Sequence, residues 1–78
     1  MKEFLVTIAA GLVDEPEKVT VDVDDINDEG VIVYHLHVAA DDMGRVIGKQ
    51  GRIAKAIRTV VKAAATKANI RVVVEIVQ

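Results

Sequence analysis

The chain has 78 residues, 51% of them apolar, with two aromatic residues and no cysteine. A chain of this length buries only about 60–65% of the surface it exposes unfolded, so the expected core is thin, built from Val, Ile, Leu and Ala, with no deep pocket for a small-molecule substrate; the missing cysteines exclude disulfide frameworks, thiolate metal sites and cysteine nucleophiles. The net charge of −2 conceals a division: residues 1–44 hold two basic and eleven acidic residues, whereas residues 45–71 hold eight basic and no acidic ones, the local positive density that attracts a polyanion.

Phe4, Leu5, Ile8, Ala9 and Leu12 follow helical spacing and predict a first helix over about residues 2–12, stopped by Pro16 and its acidic neighbours. The same apolar run fails as a secretory signal. Glu3 spoils the basic start, Asp14-Glu15-Pro16-Glu17 stands where small residues belong, and ten residues cannot span a bilayer. A soluble, unprocessed chain with no membrane association is expected, and the cysteine-free composition is compatible with the cytoplasm.

Val19, Val21 and Val23 alternate with Thr20, Asp22 and Asp24, the period of a strand with one buried face. Asn27-Asp28-Glu29-Gly30 supplies a turn, and residues 31–38 form a second strand, so the pair predicts an antiparallel hairpin. With Ile32, Tyr34, Leu36 and Val38 facing the helices, Val31, Val33, Val73 and Val77 fall on the opposite side of the sheet, where they are either a contact surface for a second subunit or the single exposed valines common on protein surfaces. Asp41 or Asp42 is the expected N-cap of a short helix ending near Ile47. Gly48 and Gly51 then bracket a loop. An alanine-rich helix follows from Arg52 to about Lys67, and Ile70–Val77 predicts a final strand.

On that second basic helix, at 100° per residue from Arg52, Ile53, Ile57, Val60, Val61 and Ala64 fall within about 80–180°, whereas Lys55, Arg58 and Lys62 fall within about 240–300°. The helix can pack on a sheet while presenting cations outward. Lys49 and Arg52 stand at its start, where the macrodipole favours carboxylates instead; basic residues there make sense if an anion completes the site. Gly48 and Gly51 lack side chains, so a sugar-phosphate backbone can approach closely.

Other glycine motifs fail on spacing. Gly44-Arg45-Val46-Ile47-Gly48-Lys49-Gln50 has three residues between its glycines and ends in Gln, unlike a triphosphate-binding loop, and the loop follows a helix, unlike a dinucleotide fingerprint. His35 and His37 lie two apart on one strand with no recognisable third ligand, so no metal is expected. Asp22, Asp24, Asp25, Asp28 and Glu29 sit on a strand edge and turn as solvated charge. No nucleophile is paired with a base, and neither an enzyme nor a cofactor is expected.

Val46-Ile47-Gly48-Lys49-Gln50-Gly51 between two helices, with strands before and after, resembles the KH signature, in which such a loop clamps about four nucleotides. The expected fold is therefore α+β, a type II KH arrangement of order αββααβ, with helices on one face of a three-stranded sheet, as a single domain over residues 1–78. The run from Gly48 to Arg58 in a chain of this length is similar to the bacterial KhpA (YlqC) family. That resemblance implies a small RNA-binding protein, an RNA chaperone or post-transcriptional regulator. Its expected partners are single-stranded RNA and either a second copy or a KH protein of the KhpB (Jag) type. It carries Gly48, Lys49, Gln50 and Gly51 over as the backbone clamp and Val46 and Ile47 as groove wall, while Arg45, Arg52, Lys55 and Arg58 add positive field. With about three or four phosphates neutralised, log affinity is expected to fall against log salt with a slope of roughly −2 to −3. The rival expectation is an adaptor that keeps a KH fold mainly for docking to a partner protein.

Overall fold

The computed structural model describes residues 1–77, apart from the side chain of Lys49. Helix α1 (Lys2–Ala10) is followed by a single 3-10 turn at Pro16–Lys18, strand β1 (Thr20–Val23), strand β2 (Val31–His37), the helical segment α2 (Ala40–Lys67) and strand β3 (Arg71–Val77). The sheet runs β1-β2-β3, with β1 antiparallel and β3 parallel to the central β2. A parallel return needs a long crossover, and α2 supplies it.

Each boundary has a local cause. The β1–β2 hairpin is held by Asn27, whose Oδ1 accepts from the backbone N–H groups of Glu29 at 2.9 Å and Val31 at 3.0 Å. Gly30 follows with φ of 79°, a left-handed conformation that glycine adopts without steric cost. At the far end of α2, Asn69 takes φ of 62°. The N–H groups of Asn69 and Ile70 turn back to the carbonyls of Thr66 and Ala65, a Schellman closure that satisfies the last free carbonyls of the helix.

Helices cover one face of the sheet. Leu5 and Ala9 from α1, Val19 and Val21 around β1, Tyr34 and Leu36 from β2, Ile57 and Val61 from α2 and Val74 from β3 form the buried cluster. The alternation along β2 and β3 leaves Val33, His35, Val73 and Glu75 on the other side, with Val73 46% exposed. Several local expectations shift. The first helix ends at Ala10 and Leu12 is exposed; Val23, the last residue of β1, is 44% exposed, and Val60 on α2 is equally exposed instead of packing on the sheet.

Two differences bear on the site. Neither Asp41 nor Asp42 caps α2: the N-cap is Ala39, with no side-chain capping bond. Asp42 points inward instead, 2% exposed, and accepts from the backbone N–H groups of Asp14 at 3.1 Å and Glu15 at 3.0 Å. A buried carboxylate with two such donors satisfies the irregular chain after α1, a stronger demand than an exposed cap. Nor is there a separate loop between two helices. Helical structure runs through the glycines, and the break is confined to Gln50 and Gly51, with φ of 63° and 71°. Two consecutive left-handed residues cannot continue a right-handed helix, so α2 consists of two arms, residues 40–49 and 52–67, meeting at a bend. With the arms counted separately the order is αββααβ, as expected.

Candidate nucleic-acid interface

The bend in α2 sits at the edge of an open groove of about 510 Å³, lined by Gly44, Arg45, Gly48, Arg52 and Ile53. Gly44 and Gly48 are one helical turn apart, so they share a face and leave that strip of the first arm without side chains. Arg45 and Arg52 supply the charge, and Ile53, partly buried against the core, supplies an apolar floor.

The two motif glycines differ in cause. Gly51 is left-handed, a conformation that costs other residues about 1–2 kcal/mol. Gly48 is helical without a positive φ, and nothing lies within 4 Å of the position its Cβ would take. Internal packing does not require a glycine there. Open space above its backbone is what a ligand running across the helix would use.

The remaining candidate residues fall into distinct environments. Gln50, Arg52, Lys55 and Arg58 are exposed, and Ile47 is 47% exposed. Val46 points away from the groove and is fully buried, so it supports the wall from behind and does not form its surface. The expectation for the Lys49 side chain lies outside the described residues. Arg58 is held on the sheet side, its Nε donating to the Val74 carbonyl at 3.2 Å on the free edge of β3. A second shallow groove of about 380 Å³, lined by Arg58, Val61, Lys62, Val72, Val73 and Val74, continues beside that strand.

Three residues at the groove escaped the sequence reading. Gly44 and Ile53 line the groove, and the i, i+4 spacing of Gly44 and Gly48 is the signal that finds the first. Asp14 is the third: its carboxylate holds Arg45 through Nη1 to Oδ1 at 3.1 Å and Nη2 to Oδ2 at 2.8 Å. Thirty-one positions separate the pair, and no local pattern connects them.

A family model described as "KhpA/KhpB, KH domain" matches residues 2–76. The chain belongs to the KhpA/KhpB KH-domain family. Its relatives match end to end: an RNA-binding protein KhpA of Clostridium acetobutylicum is 61% identical over 77 residues, 99% of this chain and 100% of the relative. One of Clostridium perfringens is 60% identical with the same coverage, and one of Listeria monocytogenes is 45% identical over the full length of both. Because these KhpA proteins add no segment outside the aligned region, the match concerns the whole fold described above. On the opposite side of the sheet, His35 and His37 pair with carboxylates in and just after β1, His35 Nε2 with Asp24 and His37 Nε2 with Asp22, both at 2.9 Å. Among the described residues no helix is long and apolar enough to cross a membrane, α2 included.

Proposed function

We propose that the protein binds single-stranded RNA, with the sugar-phosphate backbone crossing the bend of α2 at Gly48-Lys49-Gln50-Gly51. Lys49 and Gln50 position phosphates, Arg45, Arg52, Lys55 and Arg58 add positive field, and Ile47 and Ile53 offer apolar surface beside the bases. One observation carries this reading: Gly48 is a helical glycine with empty space above it, next to a left-handed pair, on the rim of a groove with two arginines. The names of the relatives, each an RNA-binding protein KhpA, support RNA as the ligand. With only two aromatic residues in the chain, extended base stacking contributes little. A role as an RNA chaperone or post-transcriptional regulator in the cytoplasm follows from the resemblance. Assembly as a homodimer, or with a KhpB (Jag)-type KH protein, would raise a modest single-domain affinity by avidity.

The test replaces Lys49 and Gln50 together with aspartate. Aspartate tolerates the left-handed conformation of Gln50 better than most residues, so the fold is retained, while two anions stand where phosphates pass. RNA affinity in a filter or gel-shift assay is expected to fall at least about tenfold, since each removed or reversed contact acts on the dominant phosphate interaction. Undiminished binding would sink the proposal and favour the adaptor.

A further inference from the structure

The cationic side of the groove carries its own anion. Arg45 lines the groove, yet in the free protein its guanidinium fork is filled by both oxygens of Asp14, at 3.1 and 2.8 Å. That two-pronged geometry is the one by which an arginine grips a phosphate. Asp14 does not swing freely. Its backbone N–H, and that of Glu15, are tied to the two oxygens of buried Asp42. Asp42 stands one turn before Arg45 on the first arm of α2, so a single stretch of helix both anchors the segment and receives its carboxylate.

We infer that Asp14 acts as a tethered phosphate mimic, occupying Arg45 in the free protein and setting the affinity for the nucleic-acid backbone by competing with it. The inference rests on the RNA-binding reading. A phosphate reaching Arg45 must displace Asp14 or lie beside its charge; in either case the carboxylate opposes binding. The pair is exposed, with side-chain exposures of 52% for Arg45 and 66% for Asp14, so exchange is easy and the effect is a tuning of affinity, not a block. Exchange also requires no refolding, because the backbone anchors on Asp42 do not involve the Asp14 side chain.

Asp14→Asn keeps the shape and the backbone anchor and removes the charge. With a labelled oligouridylate as probe, the variant is expected to bind about three- to fivefold more tightly than the unaltered chain, the scale of an exposed ion pair. The slope of log affinity against log salt should steepen by about 0.7, one further phosphate contact on a single strand. Arg45→Gln should then cost more affinity in the Asp14→Asn background than in the unaltered chain, a coupling that a double-mutant cycle isolates. Asp14→Ala, with thermal melting to establish folding, repeats the measurement with a different side chain. Equal or weaker binding by folded Asp14→Asn and Asp14→Ala, or an Arg45→Gln cost that is the same in both backgrounds, overturns the inference while leaving RNA binding standing. An unaltered chain that fails to bind the probe removes the RNA reading and this inference together.

Discussion

His35 lies on the open face of the sheet between two carboxylates, Asp24 on the β1 side at 2.9 Å and Glu75 on β3 at 3.6 Å. The hydrogen bond to Asp24 raises its pKa above 6.5; partial burial opposes this, and the charges of Asp24, Glu75 and Asp22 reinforce it. The helices pack on the other face, so these strand residues are the charged groups that His35 meets. A raised folded-state pKa means that protonation favours the fold. The stabilisation is present below pH 6.5, as long as the carboxylates stay ionised, and is lost as pH rises through the raised value. Asp24→Asn is expected to move the His35 titration, followed by its ring-proton resonances, down towards 6.5 and to flatten the dependence of melting temperature on pH across that window. An unchanged midpoint would show that the pair does not persist in solution. Asp42 marks another difference at this scale: an aspartate at a helix start ordinarily reads as a cap, and only the neighbouring chain after α1 turns it into a buried anchor.

At the scale of elements, α2 is a 28-residue helical segment interrupted by two left-handed residues. The bend separates what its two glycines do. Gly51→Ala forces a side chain into the left-handed region and is expected to lower stability by about 1 kcal/mol. Gly48→Ala meets no neighbour and replaces the weaker helix former, so it should leave stability unchanged or raise it by up to about 1 kcal/mol. RNA affinity should nevertheless fall in the Gly48→Ala variant, because its methyl group projects into the space assigned to the ligand. A stabilised variant with weakened gel-shift binding fits the proposed path across the helix; full binding would move the RNA elsewhere. Chemical denaturation and titration of the same preparations give both values.

Across the whole molecule, negative and positive charge are sorted onto different sides. The acids of β1 and the hairpin gather at one end and on the open sheet face, while the arms of α2 carry the cations, so a polyanion meets attraction on one side and repulsion on the other. The open face also holds Val31 and Val33, partly buried, and exposed Val73, with Val77 at the end of its strand. As the proposed contact surface between two copies, it predicts a molar mass above that of one 8.4 kDa chain by light scattering. Val73→Lys should return the mass to that of a single chain by placing like charges across a two-fold interface. A monomeric mass in the unaltered protein would remove the homodimer proposal without touching the groove.

The element order, the hairpin, the basic second arm and the glycine motif were all legible in the residues, because periodicity, turn chemistry and charge along a chain are local properties. The inward face of β2 was legible for the same reason: alternation alone sends Tyr34 and Leu36 one way and His35 the other. Tertiary structure decided the rest. Whether Asp42 capped a helix or held a distant backbone, whether Val46 faced the groove or the core, and whether Arg45 stood free or gripped Asp14 depended on segments brought together from far apart in sequence. Burial and ion pairing are set by those neighbours, and no local pattern contains them.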